Sequence, residues 1–474
     1  MQQACLKFYR SFVFFSEVSI ETNSRCEIRG PMGISIVKNR TKSIFLLLVL
    51  FCSSSTWADV TYQDVIDWVS AEPGVVSTVE AGQYGHQELN QLRNLIPPGY
   101  FDEFDFPELS IEIMQTNRYQ AHELYLNATK KFSGEPFLSE EGDLENYTAG
   151  MPFSREQILE ESIQSSGLMV AYNQIHRWQN FGYKVDNLTF NVESSPNGKK
   201  GNLVESVMLG GGHVDRDFTM FYHRVYLSKL ASKPNNGYAL DVDGSDELLF
   251  KEYVGFSAPF DMAGMKFVIE RPLKQSRGDQ VNSYLPTERR VRRLSARERA
   301  DSWVGTNWTL DDFEGFSGLV VDNDWSYVGQ KDILHVASSK NLTPLLHGPD
   351  SLIPLDRWQV RPAFVVEAIP KWKDHPYGKR LMFVDQETYT IMLTMVFSQD
   401  GSLWKLFTTQ YQYSDNVVNP SPALSTPRWR SSVAINIRDR NGSVGAATGP
   451  SEYIEIKPSK VRRLFDVSNL TSGR

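Results

Sequence analysis

Cysteine is almost absent from this sequence of 474 residues. The three cysteines are Cys5, Cys26 and Cys52, and residues 53–474 contain none. The body of the chain therefore has no disulfide bond, thiolate nucleophile, cysteine zinc site or iron–sulfur cluster.

The sequence also lacks an excess of basic residues. It has 49 lysines and arginines against 57 aspartates and glutamates, a formal charge of −8. This balance gives no electrostatic reason to expect nucleic acid as a partner, and we predict none. Hydrophobic residues make up 41% of the chain and aromatic residues 12%, which predicts a folded protein with a large core.

The most apolar run is too short to cross a membrane. Residues 44–52 (IFLLLVLFC) form a run of nine residues, about half of the ~20 that a spanning helix needs. Basic residues precede the run at 38–42, and small residues occur shortly after it. We expect residues 1–58 to be a signal peptide that is cleaved near Ala58, with Met32 as the initiator.

Two alternatives to cleavage are open. One is a retained membrane anchor, which the short apolar run disfavours. The other is a lipid on Cys52, but Phe51 directly before it is bulkier than lipoprotein processing normally accepts. We therefore expect export to the periplasm, with association to the outer membrane as the alternative.

Motifs for catalysis are missing as well. The sequence has no G-x-S-x-G, no G-x-x-x-x-G-K-[ST] and no H-E-x-x-H. The glycines 210–212 lack the spacing of a nucleotide loop, which predicts a turn between strands. His213, Asp215 and Asp217 alternate, so they would share one strand face, either as cation ligands or, as we favour, as a solvated surface. We predict no enzymatic activity, no cofactor and no metal.

Two helix starts carry capping signals. Thr61 predicts a helix over 62–70, and Ser154 followed by Gln157 predicts a second helix that continues to Trp178 with Gly167 as a weak point. The remainder of residues 59–149 mixes prolines, aromatics and acids without a sustained period. We expect an N-terminal extension over 59–149, helical and irregular.

Strand patterns dominate after Gly182. Segments 219–227, 248–256, 265–269 and 360–369 are rich in β-branched and aromatic residues. Over 381–413 the pattern predicts an antiparallel meander with one buried face, because apolar residues occupy alternate positions. Those positions are Tyr389, Ile391, Leu393, Met395 and Phe397.

Arginines are concentrated at 289–299, where six occur in eleven positions. They suit phosphates of lipid headgroups or an acidic partner, and the alternative is pairing with carboxylates of this chain. We predict that Arg289, Arg290, Arg292 and Arg293 contact a partner or headgroup.

Three segments in their order and spacing resemble an exported proteobacterial family, domain of unknown function 1329, which is grouped with the LolA and LolB lipoprotein-sorting carriers. They are 150–178, 284–293 (YLPTERRVRR) and 357–388 (RWQVRPAFVVEA running on to YGKRLMFVDQET). The resemblance covers roughly 97–413. It implies an α+β, mainly β fold, with an antiparallel curved sheet, or half-barrel, that helices cover over 150–474. It also implies an apolar cavity between sheet and helices.

The function we predict is a periplasmic carrier for a hydrophobic small molecule or lipid, since apolar cavities bind apolar ligands. By family analogy the protein partners are an inner-membrane transporter and an outer-membrane protein. The predicted ligand-binding residues are the apolar face of the meander and three phenylalanines of neighbouring strands: Phe364, Phe383, Tyr389, Ile391, Leu393, Met395, Phe397 and Phe407.

Two other functions are open. One is a structural or assembly factor for an outer-membrane or transporter complex. The other, which we favour less, is an envelope hydrolase that uses a carboxylate pair, either Asp215 with Asp217 or Glu141 with Asp143. Lipid that copurifies with the protein would separate a carrier from a hydrolase.

Overall fold

The computed structural model describes residues 59–71, 79–194, 207–295, 297–413, 426–451, 453, 456–466 and 468–471. The predicted signal peptide and all three cysteines lie outside these residues. Within them, no helix combines the length and the hydropathy needed to span a bilayer.

Helices and strands are listed here in chain order. The α-helices are α1 (Tyr62–Ser70), α2 (Glu123–Lys131), α3 (Arg155–Glu160), α4 (Ile163–Ile175), α5 (Pro458–Leu464) and α6 (Ser468–Thr471). The strands are β1 (Gly82–Gly85), β2 (Ser110–Ile113), β3 (Phe137–Leu138), β4 (Leu144–Glu145), β5 (Gly182–Glu193), β6 (His213–Tyr226), β7 (Leu248–Ala258), β8 (Lys266–Pro272), β9 (Gln280–Leu285), β10 (Arg290–Arg293), β11 (Asn323–His335), β12 (Leu346–His347), β13 (Ile353–Pro354), β14 (Arg357–Pro370), β15 (Lys379–Asp385), β16 (Ile391–Phe397), β17 (Leu403–Gln412), β18 (Arg428–Asn436) and β19 (Asn441–Ala447).

Fifteen of these strands form one large curved sheet. Its order is β1-β2-β14-β15-β16-β17-β18-β19-β5-β6-β7-β8-β9-β10, and β11 pairs with β14 beside this path. Every pairing is antiparallel except the short one between β14 and β2. The predicted fold class, mainly β with an open antiparallel curved sheet, is confirmed.

Both predicted helix caps are present. Thr61 caps α1 together with Asp64, and Ser154 caps α3 together with Gln157. The predicted second helix is divided, because Ser162 accepts a hydrogen bond from the backbone of Ser165 and starts α4. Gly167 is needed for packing, since a Cβ atom there would lie 2.7 Å from the backbone of Ser326 on β11.

The predicted meander over 381–413 is formed by β15, β16 and β17. It differs from the prediction at the first turn, where Tyr389 has a left-handed φ of 55° and β16 begins two residues later. A bulge between Phe383 and Val384 shifts the register at the same place.

The central strands bury both of their faces. One face, here called the extension face, carries Leu188, Phe190, Leu393, Val433 and Val444, which pack in one core with side chains of residues 60–113. The opposite face, here called the cavity face, carries the intervening residues Asn187, Thr189, Thr394, Ser432 and Gly445. The alternation of β5 and β18 therefore separates an apolar face from a polar one.

Candidate functional site

A cavity of about 110 Å³ lies between the cavity face and a chain segment, residues 303–317, here called the covering segment. Its apolar wall comes from both sides. The residues that form this wall are Met220, Val254, Ile269 and Trp429 of the sheet and Trp303, Trp308, Leu310 and Phe313 of the covering segment.

Side chains hold the covering segment on the described strands. Asp312 caps a short helical turn at Thr309, and its carboxylate also accepts hydrogen bonds from Tyr377 at 2.8 Å and Arg380 at 2.9 Å. Lys405 donates to the carbonyl of Asn307 at 2.9 Å. These contacts are not part of the strand ladder.

A buried carboxylate, Glu314, projects from the covering segment into a group of four donors. Its Oε1 atom lies 2.8 Å from a guanidinium nitrogen of Arg177 and 3.1 Å from the hydroxyl of Tyr411. Its Oε2 atom lies 2.5 Å from the hydroxyl of Tyr183 and 3.5 Å from a guanidinium nitrogen of Arg224. Both carboxylate oxygens are thus bound by cationic and neutral donors. We call Arg177, Tyr183, Arg224 and Tyr411 the donor cradle.

The electrostatics of this cluster keep Glu314 charged. Burial by itself raises the pKa of the Glu314 carboxyl, but Arg177 and Arg224 outweigh burial, and the pKa lies below its ordinary value. Burial raises the pKa of the Tyr183 and Tyr411 hydroxyls well above the usual range. The two tyrosines therefore stay protonated and donate to the carboxylate.

The backbone of the covering segment is strained at two positions. Val304 has φ 47° and Glu314 has φ 52°, a region that side chains, and β-branched ones above all, rarely adopt. Gly315 follows with φ +88°, and a Cβ atom there would lie 2.6 Å from Ile391. Conformations of this kind persist where surrounding contacts impose them.

The eight predicted ligand-binding residues are buried, but as the described residues define it, the cavity is lined by none of them. Phe383, Leu393, Met395 and Phe397 belong to the core of the extension face. Phe397 contacts Tyr62 of α1 with ring centroids 5.3 Å apart.

The other four lie in two different cores. Phe364, Tyr389 and Ile391 pack in a core that includes residues of α4, and Phe407 packs beside Trp308 of the covering segment. The expectation that the five alternating residues of the meander share one wall is therefore wrong, because of the bulge and of the turn at Tyr389. Ligand binding by these eight residues stays a prediction.

The four predicted contact arginines, Arg289, Arg290, Arg292 and Arg293, are exposed at the end of the sheet path, on and beside β10. Arg292 pairs with Glu298 at 2.8 Å. A Cβ atom at Gly264 would lie 3.2 Å from Pro286, which places the turn before β10 next to the turn between β7 and β8. Phe260 of that second turn is 99% exposed.

The arginine at the end of the run has a structural environment. Arg299 is buried and pairs with Asp279 at 2.9 Å and Asp311 at 2.6 Å. Among the arginines whose side chains the structure describes, the run divides into an exposed basic edge and one buried arginine.

The glycine-rich stretch 210–212 packs against another backbone segment, and the alternating polar residues that follow lie on β6. Cβ atoms at Gly210 and Gly211 would lie 2.0 Å from the carbonyl oxygens of Gly348 and Pro349, so these glycines permit close backbone approach. His213 lies at the start of β6, 3.9 Å from Glu193. In the described ranges no group of three histidine, cysteine, aspartate or glutamate residues is arranged to hold a metal ion.

Sequence reasoning missed the cluster around Glu314. Arg177 and Glu314 alone are separated by 137 positions, so no local spacing reveals the cluster. A signal was available in the strands, because Arg224 and Glu252 each interrupt an apolar pattern, and buried charges require partners. The two pair at 2.6 Å.

Comparison with known proteins gives one family and several solved structures. The model of the family described as Protein of unknown function (DUF1329) matches residues 85–470. A crystal structure of a DUF1329 family protein from Desulfovibrio piger is 12% identical, with a TM-score of 0.43 over 65% of this chain and 100% of that one. A LolA superfamily protein from Nitrosomonas europaea is 13% identical, with a TM-score of 0.34 over 61% of this chain and 92% of that one. No curated protein matches the sequence.

Proposed function

The chain belongs to the DUF1329 family, and we propose that it is a periplasmic carrier that binds a hydrophobic ligand, such as a lipid or acyl chain, in the cavity under the covering segment. In this proposal an inner-membrane transporter supplies the ligand and an outer-membrane protein receives it. The protein itself provides shelter from water during transfer.

The observation that supports the proposal is the composition of the cavity wall. Three tryptophans, Trp303, Trp308 and Trp429, and one phenylalanine, Phe313, face a common space. A pocket lined mainly by aromatic and aliphatic groups, with a small number of polar groups, is the usual form of a small-molecule site.

The volume of the cavity limits how the ligand enters. At about 110 Å³ it is smaller than the cavity of roughly 150 Å³ that holds one benzene molecule. A long acyl chain therefore needs the covering segment to move outward. Its attachment through side chains is compatible with such movement.

The exposed arginines of β10 supply a second part of the proposal. We infer that Arg289, Arg290, Arg292 and Arg293 contact anionic headgroups or an acidic partner where the ligand is exchanged. Phe260 at the neighbouring turn offers an apolar side chain beside them, and basic residues next to an exposed aromatic suit a membrane surface.

Uptake of a fluorescent fatty acid by residues 59–474 tests the carrier function. Gly445 faces the cavity, and a Cβ atom there would make only ordinary contacts, the nearest at 3.5 Å. Gly445→Leu should therefore fill the cavity and reduce uptake strongly. Gly449→Leu, at a position with open space around it, is the matched control and should bind as the parent does.

Native mass spectrometry of the purified protein provides an independent measurement. We expect lipid bound to the parent and to Gly449→Leu, and less on Gly445→Leu. Equal uptake by both glycine variants would place the ligand elsewhere. A parent protein that carries no lipid and takes up no fatty acid would contradict the carrier function.

A further inference from the structure

The four members of the donor cradle, Arg177, Tyr183, Arg224 and Tyr411, belong to the scaffold, whereas the anion they bind belongs to the cover. Arg177 follows the end of α4, and the other three lie on β5, β6 and β17. Glu314 lies on the covering segment, which is attached to the strands by side chains. When the segment withdraws, the carboxylate leaves and the four donors stay.

The charges in the cradle balance only while an anion is present. Arg224 has a second partner, because Glu252 lies 2.6 Å from it. For Arg177 the carboxylate partner in the described part of the chain is Glu314, and its Nε atom has no hydrogen-bond acceptor there. Arg177 is only 4% exposed. Loss of Glu314 therefore leaves one buried cation that requires one negative charge.

The cradle adjoins the apolar cavity. Glu314 is part of the cavity wall, next to Phe313, and the three tryptophans lie around the same space. A molecule whose charged end replaced the Glu314 carboxylate would place its apolar part against these rings. Glu314 also has a left-handed backbone, a conformation that costs free energy and persists where surrounding contacts impose it.

We propose that Glu314 occupies the place of a ligand head group, and that Arg177, Tyr183, Arg224 and Tyr411 bind the singly charged oxyanion of an amphiphile, a carboxylate or a phosphodiester, when the covering segment withdraws. The inference rests on the carrier function proposed above and adds the chemistry of the ligand. It makes the closed form a self-occupied state in which Glu314 competes with the ligand.

Binding of palmitate and hexadecanol to residues 59–474 tests the inference, because the two probes share a chain and differ in the charged end. Glu314→Gln removes the competing charge and keeps the size of the side chain. It should tighten palmitate binding by about ten- to a hundredfold, the range for a hydrogen bond to a charged group, and change hexadecanol binding less. Asp385→Asn removes another buried carboxylate, which is paired with Arg361 at 2.6 Å, and should alter neither affinity.

The double variant Arg177→Met, Glu314→Gln removes both charges of this pair. No buried charge is then left without a partner, so the variant should fold even if a single substitution does not. It should bind hexadecanol and lose the preference for palmitate. Dipalmitoyl phosphatidylglycerol, measured in parallel, separates a phosphodiester ligand from a carboxylate.

Three outcomes would overturn the inference. The first is an unchanged palmitate affinity in Glu314→Gln, and the second is a preference for palmitate over hexadecanol that survives in the double variant. Either would contradict the head-group role, whereas binding of hexadecanol would still support the carrier function. If no variant bound any probe, both the carrier function and the inference would be wrong.

Discussion

The two faces of the central strands differ in what covers them: one forms a packed core and the other borders a cavity. On β5, Leu188 and Phe190 enter the apolar core under the N-terminal extension, while Asn187 and Thr189 between them face the cavity. The extension fills the space above the first face, and the covering segment leaves space above the second. The side chains of the strand and the segment that covers them together decide whether a face becomes core or site.

The difference extends to how each cover is fixed. The extension contributes β1 and β2 to the sheet and packs rings such as Phe104 against Trp358, with centroids 5.6 Å apart. The covering segment packs rings as well, such as Trp303 on Phe267 with centroids 4.6 Å apart, but it adds buried charged contacts at Asp312 and Glu314. Apolar burial contributes stability without regard to direction, whereas buried ion pairs contribute little net stability and define specific geometry.

The largest loss of stability should come from a substitution that creates a cavity in the core of the extension face. Leu393 is 2% exposed in that core, so Leu393→Ala should lower the unfolding free energy by roughly 2 to 5 kcal/mol. Urea denaturation of residues 59–474 measures this. A loss well below that range would show that the face is not packed, and uptake of a fluorescent fatty acid by this variant would test the predicted role of Leu393 in ligand binding.

Lowering the pH should reduce the stability of the fold through its buried histidines. Burial lowers the pKa of His176, directly before Arg177, to about 3, so below pH 6.5 the unfolded chain binds a proton that the folded chain does not. Stability from this group is present above pH 6.5 and is lost as pH falls toward 3, at about 1.4 kcal/mol per pH unit. His176→Gln should make the decline between pH 6 and 5 shallower by that amount. An unchanged slope would contradict the assignment.

Truncation of a leucine to alanine on the cavity side should lower the unfolding free energy by less. Leu310 is half-buried on the covering segment and borders the cavity, so Leu310→Ala enlarges a space that already exists. We expect a loss below about 2 kcal/mol by the same urea measurement. A cost equal to that of Leu393→Ala would remove the distinction between the two faces.

The smallest effect is expected at the sheet edge. Replacing Arg290 and Arg292 by Gln should leave the melting temperature within a few degrees, since exposed charges are worth roughly 0 to 1 kcal/mol each. Binding to vesicles that contain phosphatidylglycerol should fall in the same variant. A large loss of stability would show that these arginines hold the fold.

Local patterns predicted the elements well and their surroundings poorly. The capping residues Thr61 and Ser154 and the antiparallel pairing of the meander depend on neighbours in sequence, and these predictions are confirmed. The predicted alternation fails at Tyr389 and Ile391, where the turn and the bulge change the face. Alternation states which residues share a face, but it contains no information on what covers that face. The pairing of Arg177 with Glu314 depends on tertiary structure alone, so a sequence pattern could not reveal it.

The pairing of β19 with β5 has a consequence for the order in which the chain acquires structure. It joins Asn441 to Glu193 and Ala447 to Asn187, so the sheet is continuous only after almost the whole chain has emerged. The extension likewise finds its partners in strands that follow it by about 250 residues, as Glu112 does with Arg357. Contacts so distant in sequence make folding slow and leave apolar segments exposed in the meantime. A chain that reached its compartment unfolded would therefore depend on a holding chaperone until its last strands arrived.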